Sequence, residues 1–251
     1  MRSRRLPEVS TSVICERLRE RAQRVGSRPV QRLALFDLDN TLVNRQRALE
    51  ACLSVFCEER ALGAEAVGWM RGALAQRAYP SDFAELRERF RLAEPVESLW
   101  AAYVRTLAAN VECPGEILDG LDQLQGQGWS VAVVTNGAED IQRAKLVRSG
   151  IASRINAYCV SGEFGVRKPD PLPLQVAARR CGRAIADGGW MVGDGLATDV
   201  AAGRAAGLHT IWVSNGKPWP EGPGRWPEPD HIAPHVLTAL DHLLSLPGAP
   251  R

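Results

Sequence analysis

The sequence predicts an α/β protein: a doubly wound, Rossmann-like parallel sheet with a helical domain inserted after its first strand. Three observations carry that expectation. Five short runs, at residues 33–37, 131–135, 157–160, 190–193 and 210–213, are largely apolar and do not alternate, as expected for parallel strands covered on both faces. Helical patterns alternate with them at 138–149, 173–181 and 199–206, the rhythm of βα units. One interval is too long. From Asp37 to Thr135 is 98 residues, whereas Thr135 to Lys168 is 33 and Lys168 to Asp194 is 26.

Taken in order, residues 1–30 read as an Arg-rich extension, partly helical, with Ile14, Leu18 and Val25 forming a weak apolar stripe. The core is expected at 31–43 and 112–251. A βαβ unit needs roughly 30 residues, so the first crossover holds an extra domain, at 44–111. It shows helical patterns at 48–61 and 83–93, and Pro80, Pro95 and Pro114 punctuate it. Gly150, Gly182 and Gly207 follow the later helical patterns, where a helix C-terminus calls for a positive φ.

Composition removes several classes. The chain has 251 residues, 45% apolar, with a formal charge of +2, ordinary for a globular protein. No apolar run reaches the roughly 20 residues that span a bilayer, so no membrane contact is expected. Nine arginines against three acids give residues 1–32 a local +6, leaving −4 for the rest; no nucleic-acid partner is expected. The N-terminus lacks the apolar core of a secretory signal and carries Glu8, Glu16 and Glu20, so a cytoplasmic location is the default. The 6 cysteines form no C-x-x-C pair and read as reduced thiols. His231 and His235 have the spacing of a helical metal pair, but Pro234 lies between them. Only Lys145, Lys168 and Lys217 supply lysines, so each is informative.

The chemistry gathers at strand ends. Asp37, Thr135 and Asp194 close three of the strand-like runs, and Lys168 lies in the loop after a fourth. Ligands of such sheets bind outside the carboxyl ends of the strands, so these residues are expected to converge. Each alone has a plain structural explanation. Asp37-Leu38-Asp39 could close a turn, Thr135 and Asp199 could cap helices, and Lys168 could be a surface lysine. Their joint order and spacing count against that explanation. Two carboxylates at the edge of a core also require a cation.

These residues resemble the haloacid dehalogenase-like superfamily on its phosphatase side. Asp37-Leu38-Asp39-Asn40-Thr41 is similar to its first motif, Thr135 to its second, Lys168 to its third, and Gly193-Asp194 through Asp199 to its fourth. The loop 165–171, and Gln142 and Lys145 beyond Thr135-Asn136-Gly137, are also family-like. The position of the insertion resembles the family's helical C1-type cap. The resemblance implies an Mg²⁺-dependent phosphatase acting through an aspartyl-phosphate. In that reading Asp37 is the nucleophile, and Asp39 moves protons to the leaving group and from water. Lys168, Thr135 and backbone N–H groups near Leu38 and Asn136 bind the phosphoryl group. The implied Mg²⁺ ligands are Asp37, Asp194 and the backbone carbonyl of Asp39. Thr41 and Asp199 would support this set, Asp199 by orienting Lys168 or a metal-bound water.

The same resemblance contains rivals. Metal-free 2-haloacid dehalogenases do not need an acid at the second aspartate, so Asp39 speaks against them. Phosphonate hydrolysis relies on a cap lysine, and residues 44–111 contain none. A sugar phosphomutase stays open, although such relatives commonly lack the threonine present as Thr41. A non-catalytic scaffold would be expected to have lost Asp37, Asp39, Lys168 or Asp194. The expected partner is a small phosphorylated metabolite, with Asn44, Arg45 and Arg47 as candidate selectors. Cap residues Trp69, Arg71, Tyr79, Trp100 and Tyr103 are further candidates, with packing favoured for the aromatics. The oligomeric state, a homodimer included, is open.

Overall fold

A computed structural model describes residues 31–220 and 226–247; the expected N-terminal extension lies outside them. Six parallel strands form one sheet in the order β3-β2-β1-β4-β5-β6. They are β1 (Leu33–Phe36), β2 (Ser130–Thr135), β3 (Ala157–Val160), β4 (Trp190–Gly193), β5 (His209–Val213) and β6 (His231–Ala233). The order reverses at β1, so the topological switch point lies between β1 and β4. Every residue of β1 and β2 is buried, as expected of central strands covered on both faces.

Four helices separate β1 from the helix that precedes β2: α1 (Arg45–Glu58), α2 (Ala64–Ala73), α3 (Pro80–Arg89) and α4 (Val96–Ala109). Their starts follow local chemistry. The Asn44 side chain accepts from Arg47 N at 2.9 Å and caps α1. Pro80 opens α3, where its missing N–H costs nothing, and Asp82 accepts from Tyr79 N at 2.7 Å. The insertion has no isolated core. Phe56, Phe83 and Tyr103 belong to the same apolar cluster as Phe36, Val133 and Val192 of the sheet.

The remaining helices are α5 (Gly115–Gly126), α6 (Glu139–Arg148), α7 (Leu172–Arg180), α8 (Ala201–Ala205) and α9 (Val236–Ser245). Gly150, Gly182 and Gly207 have φ of 76°, 67° and 75°, the left-handed turns expected after helices. Cys52, Cys57, Cys113, Cys159 and Cys181 are free thiols.

One expectation needs correction, and two features add to the picture. The helix read at 199–206 begins earlier, as a π-helical turn at Leu196–Val200 that leads into α8. Gly195 O accepts from Asp199 N at 2.7 Å and Val200 N at 3.1 Å, which widens the turn. The sixth strand, β6, was not read from the sequence because it has only three residues. His231 and His235 do not share a helix: the first lies in β6 and the second caps α9. His231 instead stacks on His242, with centroids 4.1 Å apart.

Candidate active site

Strand register brings the scattered residues together. Phe36 pairs with Val133 of β2 and Val192 of β4, so Asp37 emerges at the carboxyl end between those strands, its N–H on Val192 O at 2.8 Å. Lys168 enters from the loop after β3. It is 2% exposed, and its Nζ lies 2.7 Å from Asp37 Oδ1, 2.7 Å from Asp199 Oδ1 and 2.5 Å from Val134 O. A fully buried ammonium is costly unless paired, and here it has two carboxylates and a carbonyl.

Asp199 reaches Lys168 because of the π-turn. Its other oxygen accepts from Gly195 N at 2.9 Å. Gly193 leaves the space this requires, since a Cβ there would run into the Asp199 carboxylate. Asp194 completes an acidic group: oxygens of Asp37, Asp194 and Asp199 all lie within 4.8 Å of one another. Thr41 Oγ1 accepts from Asp194 N at 3.1 Å and faces Asp37 Oδ2 at 3.5 Å, tying the two loops together. Trp212 Nε1 donates to Asp194 O at 2.9 Å.

The electrostatics reflect crowding. Burial raises the Asp37 carboxyl, to about 8, against the pull of Lys168 and with a push from Asp199. Burial raises Asp194 as well, again with Asp199 adding to it. Burial works against the Lys168 ammonium, but Asp199 and Asp37 outweigh it and hold its pKa above the usual lysine value. Three carboxylates meet two lysines, the buried Lys168 and the more exposed Lys217, so the cluster is short of positive charge.

Asp39 points elsewhere. Both of its oxygens lie 2.8 Å from Lys145 Nζ, and Oδ2 accepts from Gln142 Nε2 at 3.1 Å. Burial would raise this carboxyl, but Lys145 and Gln142 outweigh burial and lower it. Gln142 also donates to Thr135 Oγ1 at 2.5 Å. The Thr135 hydroxyl therefore has an occupied acceptor and a hydrogen left to donate. The Asn136 side chain is used structurally: it exchanges two bonds, 3.0 and 2.9 Å, with the backbone of Lys168. Its carbonyl accepts from Gln142 Nε2 at 3.4 Å, which leaves its backbone N–H for a ligand.

The candidate selectors divide. Asn44 and Arg47 line an open groove of about 950 Å³ with Asn40, Thr41 and Lys217; Asn44 caps α1, and Arg47 faces Glu112 at 3.8 Å. Arg45 lines a separate cleft of about 260 Å³ with Asp39, Tyr79, Tyr103, Asn136 and Lys145. Of the predicted site residues, the smaller cleft is lined by Asp39, Arg45 and Asn136. Of the aromatics, Trp69 packs on Phe90, and Trp100 on Phe83 and Tyr103. Arg71 pairs with Glu50 at 2.9 Å. Tyr79 is 43% exposed at the cleft.

Two further lysines stand beside the site carboxylates. Lys145 was legible only as a family-like position one turn beyond Gln142. Lys217, 3.1 Å from Asp194 Oδ2, comes from the loop after β5, and only the scarcity of lysine marked it.

Comparison with known proteins finds relatives of the chain. Over 108 residues the chain is 38% identical to a phosphoserine phosphatase of Thermus thermophilus, covering 43% of each chain. The chain thus matches less than half the length of that relative. Over 189 residues it is 30% identical to a phosphoglycolate phosphatase of Xanthomonas campestris, covering 72% of this chain and 81% of that one. Among solved structures, a haloacid dehalogenase-like phosphatase from Thermococcus onnurineus superposes with a TM-score of 0.61 at 19% identity, covering 86% of this chain and 98% of the other. Residues 34–213 match the haloacid dehalogenase-like hydrolase family as a whole. With the buried aspartate–lysine cluster at its switch point, the chain belongs to that family.

Proposed function

We propose that the protein is a Mg²⁺-dependent phosphatase of small phosphate esters that works through an aspartyl-phosphate on Asp37. The observation that carries this reading is the meeting of Asp37, Asp194 and Asp199 oxygens within 4.8 Å beside a buried lysine. The donor set fits a hard divalent cation: all oxygen, mostly buried, and short of positive charge. Asp37 and Asp194 would hold Mg²⁺, with Asp199 or the expected Asp39 carbonyl completing the protein ligands. Bound there, the ion would neutralise the approach of a phosphate dianion to a carboxylate.

The chain's own residues account for the other steps. An Asp37 oxygen attacks phosphorus in line as the ester oxygen leaves. Lys168, fixed between Asp37 and Asp199, keeps a positive charge beside the nucleophile throughout. Thr135 donates its free hydrogen to a phosphoryl oxygen, and Asn136 holds the Lys168 backbone in register. Asp39 gives a proton to the departing oxygen and later takes one from the water that hydrolyses the intermediate. Its pairing with Lys145 favours the ionised form needed for the second half. An arriving phosphate dianion competes for Lys145 and so favours the protonated form needed for the first.

The helices at residues 44–111 act in this reading as a cap over the cleft, which restricts entry to small esters. The family relatives with phosphatase names support the reaction class. The test is inorganic phosphate release across phosphorylated acids, sugars and nucleotides, with Mg²⁺ supplied or chelated. Metal-dependent release that Asp37→Asn abolishes is the expected result. Release insensitive to both treatments refutes the proposal.

A further inference from the structure

The cleft beside Asp39 holds more positive charge than a single phosphoryl group requires. Arg45, Arg77, Lys145 and Arg167 line it, and Asp39 is the one acid among its described lining residues. Lys145 already neutralises Asp39. Among the described residues, one carboxylate in the cleft thus stands against Lys145 and three guanidinium groups. Some arginines elsewhere meet acids, as in Arg60 with Glu94, Arg71 with Glu50 and Arg180 with Glu163; what sets this cleft apart is that several basic side chains line one space.

The three arginines differ in what holds them. Arg45 spends its guanidinium on Ala75 O at 2.6 Å and Leu74 O at 2.8 Å. It thereby fastens the turn after α2, from which Arg77 and Tyr79 project. Arg77 lies beside Tyr79, 3.4 Å from its hydroxyl and 5.8 Å from the ring centroid. Arg167 sits in the core loop next to Lys168 and is exposed. Among the described residues, neither Arg77 nor Arg167 has a carboxylate partner. One comes from the helical insertion and the other from the core, and they line the same space.

Resting on the phosphatase reading above, we propose that Arg77 and Arg167 form a second anion subsite, braced by Arg45, and that the preferred esters carry a carboxylate or other second anion. Planar guanidinium groups suit such ligands because they offer paired donors. The size of the cleft narrows the class. About 260 Å³ equals roughly nine waters at ~30 Å³ each, and falls below the ~300–1,000 Å³ of pockets for drug-sized ligands. Phosphorylated acids of two or three carbons fit that description. Tyr79 lines the same cleft beside Arg77.

The test compares esters that differ only in the second charge. Phosphoglycolate is set against 2-hydroxyethyl phosphate, and 3-phosphoglycerate against glycerol 3-phosphate. The readouts are kcat/KM with Mg²⁺ and, on the Asp37→Asn protein, affinity by calorimetry. The charged member of each pair is expected to lead by at least tenfold in both readouts. Arg77→Gln and Arg167→Gln should each reduce that ratio severalfold, chiefly through KM. A bis-phosphate of similar length, glycerol 2,3-bisphosphate, distinguishes a phosphate-selective subsite from a carboxylate-selective one. Equal values within the pairs, or a ratio unchanged in both arginine variants, would overturn the subsite while leaving phosphate release intact. Failure of every ester to turn over would sink the phosphatase reading, and the calorimetric ratio would still decide the subsite.

Discussion

Lys168 Nζ stands 2.7 Å from Asp37 and 2.7 Å from Asp199, bridging two carboxylates that are 162 positions apart in sequence. The lysine is buried, so its charge cannot be replaced by solvent. The two acids therefore have different expected roles: Asp37 reacts, and Asp199 keeps Lys168 in place.

Asp37→Asn should remove activity by at least a thousandfold, because the amide is a poor nucleophile. It should not unfold the protein. Removing one of three crowded carboxylates relieves repulsion while the amide oxygen can still accept from Lys168. Phosphate release and a thermal melt, run on the same preparation, check both parts; activity within tenfold of the parent would remove the nucleophile assignment.

Asp199→Asn should lower kcat by about 10–100-fold, the usual scale for a group that orients a reacting residue. Gly193→Ala should act on the same contact from the other side, since its Cβ would displace the Asp199 carboxylate. Such overpacking costs about 1–3 kcal/mol. Chemical denaturation of Gly193→Ala, together with kcat for both variants, is the measurement. Parent-like values would mean Lys168 is held without Asp199.

Asp39→Asn should slow esters with poor leaving groups far more than activated aryl esters, because only the former need a proton in the first step. Lys145→Met should shift the same balance, by releasing Asp39 from its two 2.8 Å contacts. Rates for an alkyl and an aryl phosphate decide the matter. An equal loss on both would count against the proton-transfer role.

His242 offers a pH test away from the site. Burial lowers its pKa to about 4, with His231 adding to the effect, from the usual 6.5. Between those values the unfolded chain binds more protons than the folded one, so stability falls as pH drops through that window. Because the ring is only half buried, solvent screening reduces the contribution to about 1 kcal/mol. His242→Phe should keep the packing on Trp190 and flatten the decline between pH 6.5 and 4. Urea midpoints at both ends of the range measure it; identical slopes in parent and variant would contradict the assignment.

The strand-forming runs were legible because a central parallel strand has to be apolar on both faces, and few other segments are. β1 and β2 show this well. β6 did not stand out, since three residues carry no periodicity and their place is set by pairing with β5. The π-turn at Leu196–Val200 was equally hidden. It arises from a widened hydrogen-bond pattern on Gly195 O, not from residue propensity.

In the site, the sequence alone determined which residues would emerge on one edge of the sheet. The strand ends carry Asp37, Thr135 and Asp194, and parallel strands put their carboxyl ends on one edge of the sheet. Tertiary structure decided what each residue faces. It turned Asp39 to Lys145 and away from the acidic group, used the Asn136 side chain to brace Lys168, and separated Arg45 from Asn44 and Arg47. It also brought Arg77 and Arg167, 90 positions apart in sequence, to one cleft. The reason is physical. Backbone periodicity and strand order are written locally in the pattern of apolar residues, whereas the partner of a charged side chain depends on which distant loops the fold brings within a few ångströms.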